Sequence, residues 1–133
     1  MDKTEKQSLQ NGPKRISRTS AGQDNEFPVR YHLNNDRLQS TAFLAKSLSD
    51  GNRLKILLLI SSGRKSVSAI VEESDLSQPL VSHHLKELKR SLLVKVEREG
   101  PFIYYELADV RILDVLQTLS NVATDLLSDR KTF

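Results

Sequence analysis

The chain has 133 residues, 38% of them hydrophobic, enough for one modest core plus a tail and too little for a large multi-domain enzyme. A formal charge of +3 and a pI near 9.3 are mildly basic and compatible with nucleic acid, while the lack of any cysteine excludes disulfides, thiolate metal sites, iron–sulfur clusters and thiol redox sensing. No stretch approaches the roughly 20 apolar residues that cross a bilayer, and no apolar segment follows the N-terminal charges, so a cytoplasmic protein with no membrane partner is expected.

Residues 1–35 are polar and interrupted by Gly12, Pro13, Gly22 and Pro28. Such a segment buries too little surface to offset its ordering entropy and reads as a flexible basic tail. Lys3, Lys6, Lys14, Arg15 and Arg18 give it the alternative of a weak electrostatic arm. A folded domain is expected over residues 36–133. Leu38, Ala42, Ala45 and Leu48 recur at helical intervals, with Phe43 and Leu44 broadening the stripe and Asp36 placed to cap it. The segment SDGN (residues 49–52) offers turn and cap chemistry, and RLKILLLI (residues 53–60) is apolar round most of its circumference, as for a helix at the centre of a core. Ser62 and Gly63 end it, Ser66 or Ser68 caps a third helix running to about Glu73, and Ser74–Asp75 breaks the pattern again.

In SQPLVSHHLKELKR (residues 77–90), Ser77 is an N-cap and Pro79 lies in the first turn, where its missing N–H costs nothing. Val81, Leu85, Leu88 and Leu92 fall on one face; Ser82, His83, Lys86 and Arg90 fall opposite, flanked by Gln78 and Lys89. Two short helices joined by a tight turn, the second lined with cations, outline a helix-turn-helix. The period then shifts toward two in LVKVERE (93–99) and FIYYEL (102–107) around Gly100 and Pro101, a hairpin that would form a wing. The last helix, about 109–128, spaces Ile112, Leu116, Leu119, Ala123 and Leu126 along a seam widened by Val115, Val122 and Leu127. A partner subunit is the expected cover, with Leu38, Ala42 and Ala45 of the first helix sharing the interface; packing of the seam on the chain's own first helix is the alternative. The expected class is therefore mainly α with a small β-hairpin wing, a winged helix-turn-helix, as a homodimer through its first and last helices.

These residues carry a likeness. Over residues 38 to about 127 the chain resembles the ArsR/SmtB family of winged helix-turn-helix repressors: LAKSLSDGNRLKILLLI resembles its helix pair around an Asp-x-x-Arg turn (Asp50, Arg53), SQPLVSHHLKELKRSLLV its recognition helix, and VEREGPFIYYEL its wing. The resemblance implies a homodimer that binds an inverted-repeat operator and is often released by a ligand. Where arsenic-type members place a Cys-x-Cys pair this chain has Ser66 and Ser68, and a serine hydroxyl is a poor soft-metal ligand. Asp109 and Asp125 match two zinc-ligand places of other members, but Arg111 and Val122 stand where histidines belong, a poor zinc site. Persulfide sensing needs two cysteines. No metal and no cofactor is expected, and the effector stays open.

The adjacent His83 and His84 point about 100° apart on a helix, which disfavours a shared metal ion, and His32 lies in the tail. Gln78, Ser82 and His83 suit base edges of a major groove, while Lys86, Lys89 and Arg90 suit phosphates, and Ser77 at the start of the helix is a further DNA-binding candidate. His84, beside Leu85, has two readings: a locally bonded histidine at the core boundary, or, as the resemblance implies, a DNA contact. Lys95 and Arg98 are the wing candidates, diluted by Glu97 and Glu99. No nucleophile elbow, HExxH helix or glycine-rich phosphate loop supports an enzyme. The expected function is a sequence-specific DNA-binding transcriptional repressor; a winged-helix module that binds protein without specific DNA binding is the alternative.

Overall fold

A computed structural model describes residues 33–128 and 130. The readings of residues 1–32, with their basic residues and His32, lie outside the described residues. The first helix, α1 (Asn35–Ser47), is capped two residues earlier than expected: Asn34 Oδ1 accepts the Arg37 N–H at 2.9 Å, so Asp36 sits inside the first turn. Helix α2 (Gly51–Ile60) starts at Asp50, whose Oδ1 accepts the N–H groups of Asn52 and Arg53 at 2.8 and 3.1 Å. Ile56, Leu57 and Ile60 are buried, as a central helix requires, but Leu58 is exposed. The apolar circumference is thus only partly covered within this chain.

A two-residue strand, β1 (Lys65–Ser66), leads into α3 (Val67–Ser74). Of the two candidate caps, Ser66 is used: its Oγ accepts the Ala69 N–H. A turn at residues 75–77, with Asp75 at φ 60°, joins α3 to α4 (Gln78–Arg90), where Ser77 Oγ accepts the Leu80 N–H. Val81, Leu85 and Leu88 of α4 are buried with Ile70 of α3 in the same core as α2. The fourth residue of the expected core face is corrected by one position. Leu92 adopts φ 65° and is 76% exposed, whereas Leu93 is buried. The Leu92 N–H bonds to the Lys89 carbonyl and the Leu93 N–H to the Leu88 carbonyl, a Schellman closure that turns the chain left-handed at Leu92 and swings the next side chain inward.

Strands β2 (Val94–Glu99) and β3 (Phe102–Leu107) form the expected hairpin, with Gly100 at φ 62° in its tight loop. The sheet has three strands, antiparallel in the order β1-β3-β2, so β1 extends the predicted hairpin. The last helix, α5 (Arg111–Ser128), begins after Asp109, which accepts the Arg111 N–H. Ile112 and Leu116, read with the intersubunit seam, are half-buried and pack against the core of their own chain. Beyond them Val115, Leu119, Val122, Leu126 and Leu127 are exposed.

Candidate nucleic-acid interface

The two faces of α4 differ sharply. Its inner face is locked by three core residues, and Ser91, the residue that ends it, donates to the carbonyls of Glu87 and Leu88 while accepting from Ser47 Oγ at 2.8 Å. Arg53 Nε donates to the Ser47 carbonyl at 2.7 Å, tying the same junction to the start of α2. The outer face presents Ser77, Gln78, Ser82, His83, Lys86, Lys89 and Arg90, all exposed. Arg90 pairs with Glu87 at 3.1 Å; among the described residues Lys86 and Lys89 have no ion-pair partner. A rigid helix with polar donors at its N-terminal half and unpaired cations further along has the dimensions and chemistry to enter a major groove.

His84 is placed differently from the other candidates. It is 4% exposed, with neither ring nitrogen hydrogen-bonded, and its Nε2 lies 3.8 Å from Asp50 Oδ1, too far for a hydrogen bond. The ring sits beneath His83, centroids 5.3 Å apart. His84 therefore faces the α2 cap, whereas His83 is exposed on the outer face. Burial is the main cause that pushes the His84 imidazole below its ordinary value, helped by Arg53 and His83 and opposed by Asp50. The Asp50 carboxyl is itself held low, chiefly by the Arg53 amide.

A consequence is testable. The unfolded chain keeps His84 near its ordinary 6.5, so as pH falls below that value the unfolded state takes up a proton that the folded state refuses. Folding stability is expected to be complete above that pH and to decline as pH falls from there toward the lower folded value. Thermal melts from pH 7.5 to 5.5 should show the decline in the wild type and lose it in His84→Leu. An identical pH slope in both would exclude His84 as the group responsible.

In the wing, Lys95 and Arg98 do not share a face. Register pairs Lys95 with Glu106, Glu97 with Tyr104 and Arg98 with Ile103, and alternation puts Lys95, Glu97 and Glu99 on one side of β2 and Arg98 on the other. The two glutamates are held by Arg64, a residue not singled out by sequence reasoning: Arg64 Nη1 lies 2.9 Å from Glu97 and Nη2 2.7 Å from Glu99. On α5, Arg111 engages both oxygens of Asp109, holding that carboxyl down to about 2. Among the described residues no group of three His, Asp or Glu side chains is gathered as for a metal ion.

Comparison with known proteins covers this same region. Residues 50–96 match the family described as "Bacterial regulatory protein, arsR family". An uncharacterized HTH-type transcriptional regulator of Methanocaldococcus jannaschii is 32% identical over 88 residues, 65% of this chain and 99% of that protein. The arsenical resistance operon repressor of Staphylococcus aureus is 36% identical over 61% of this chain and 78% of its own. Among solved structures, the homodimeric winged helix-turn-helix DNA-binding domain of a possible ArsR-family regulator from Mycobacterium bovis is similar at a TM-score of 0.60 and 29% identity, over 72% of this chain and 90% of that one.

Proposed function

Because the chain belongs to the ArsR family of bacterial regulatory proteins, we propose that it is a DNA-binding transcriptional regulator that represses as a homodimer on an inverted-repeat operator. The observation that carries this is the outer face of α4, which exposes hydrogen-bonding side chains followed by cations while the inner face is fixed in the core. Gln78, Ser82 and His83 read base edges; Ser77, Lys86, Lys89 and Arg90 hold phosphates, with Lys95 and Arg98 supplementing them from opposite sides of the wing. The subunits join through Leu119, Ala123 and Leu126 of α5, with the exposed Leu38, Ala42 and Ala45 of α1 contributing. Two-fold symmetry in the protein then calls for two-fold symmetry in the site.

No catalytic role is part of this reading. Among the described residues no helix is long and apolar enough to cross a membrane, and the protein acts where its DNA is, in the cytoplasm. Release cannot use a thiolate-bound metal in a chain without cysteine, and Arg111 competes for the carboxylate that a zinc ion on α5 would need.

Selection of bound sequences from random duplexes tests the function, with half-site spacing near one helical turn expected for the dimer. Lys86→Ala should weaken binding to all duplexes alike and reduce the slope of log affinity against log salt by about 1, the signature of one lost phosphate contact. Gln78→Ala should instead relax preference at one base pair by about 1–3 kcal/mol. Binding that is indifferent to salt and to both changes would point to a protein partner in place of DNA.

A further inference from the structure

The hairpin that would lie against DNA is acidic by itself: Lys95 and Arg98 are outnumbered by Glu97, Glu99 and Glu106. Carboxylates beside a phosphate backbone repel it, and the wing carries two of them two residues apart on one face. Arg64 answers this from outside the hairpin. It stands just before β1, separated from Glu99 by 35 residues in sequence, and its planar fork engages one oxygen of each glutamate. Its guanidinium carbon also lies 4.4 Å from the centroid of the Tyr104 ring, the residue paired with Glu97 across the strands. One cation thus meets two carboxylates and an aromatic face. Its side chain is 34% exposed against 52% and 61% for the two glutamates, so the guanidinium is the more sheltered member. A lysine could supply the charge but not two directed donors and a stacked plane at once.

We propose that Arg64 is a positioning residue for DNA binding: it neutralises the acidic face of the wing and ties the hairpin to the segment that enters β1, leaving Arg98 on the opposite face for the backbone. Glu97 and Glu99 are then the residues through which Arg64 acts, and Arg64 itself need not touch DNA. The inference rests on the DNA-binding reading of α4.

A mutant cycle tests it, using fluorescence anisotropy with the selected operator over a salt series. Wild-type binding that weakens steeply with salt is the first result required; without it the DNA reading fails and this inference falls with it. Given that result, Arg64→Gln should bind about tenfold more weakly at low salt, because two uncompensated carboxylates on the wing then repel the nearby phosphates with little screening. The Glu97→Gln/Glu99→Gln protein should bind at least as tightly as the wild type. Adding Arg64→Gln to that background should then cost less than about twofold, since nothing is left for Arg64 to neutralise. An equal loss in both backgrounds would make Arg64 a direct phosphate ligand and overturn the proposal, as would unchanged affinity of the single variant. Thermal melts of each protein guard against misfolding: a loss of binding that tracks a fall in melting temperature, and that the glutamine pair does not rescue, would reduce Arg64 to a structural role and equally overturn it.

Discussion

Replacing Leu119 by aspartate is expected to split the protein into folded monomers and to lower operator affinity by about a hundredfold or more. Leu119 is 54% exposed and lies on α5 beyond Ile112 and Leu116, the two residues that pack against the chain's own core. Its loss should therefore leave the winged domain intact. Around it Val115, Val122 and Leu126 form an exposed stripe at helical spacing. Burying each such side chain against a partner contributes about 1.5–3 kcal/mol, and two-fold symmetry would place the substituted carboxylates in the same interface. Affinity suffers because a dimer presents its second recognition helix at high effective concentration once the first is seated, and a monomer does not. Sedimentation at micromolar concentration reads the assembly, and anisotropy reads the binding. A wild type that sediments as a monomer, or a Leu119→Asp protein that remains dimeric, would remove α5 from the interface.

The features that sequence revealed are those that local chemistry dictates. Asp50, Ser66 and Ser77 are side chains that accept amide hydrogens at the starts of helices, and a polar residue before an apolar run announces that geometry without reference to the rest of the fold. The two faces of α4 follow equally from spacing. Features that depend on what another segment does were not legible. Strand β1 has two residues, too few to show a period of two, and exists only because β3 offers an edge. Leu92 and Leu93 are chemically alike, and only the Schellman closure decides which one turns inward. The seam on α5 reads as continuous, yet its first turns are taken up by the core. Arg64 carries no local signal at all, because its carboxylate partners sit on a distant hairpin and only the register of β2 and β3 aligns them with Tyr104. For His84 the sequence left two readings; the ring is buried beside the Asp50 cap, yet neither of its nitrogens makes the local hydrogen bond that one of them expected.

Leu85→Ala and His83→Ala, two positions apart on α4, should separate stability from specificity. Leu85 is 1% exposed in the cluster that joins α2, α3, α4 and β2, so truncation removes buried methyl groups and leaves a cavity costing about 2–5 kcal/mol. Against the roughly 5–15 kcal/mol that holds a domain of this size together, that is a large fraction. The urea midpoint should fall while its slope stays constant, since the same surface is exposed on unfolding. DNA binding should weaken only to the extent that the folded population shrinks, with operator preference retained. His83 is exposed, and its ring meets the protein chiefly through the tilted contact with His84. Truncating it should leave the midpoint within about 0.5 kcal/mol of the wild type yet alter which bases are selected at one position, by about 1–3 kcal/mol. The reverse pattern, a destabilised His83 variant with unchanged preference, would mean that α4 meets DNA through another face, because the helix cannot bury one side in its own core and present that same side to a groove.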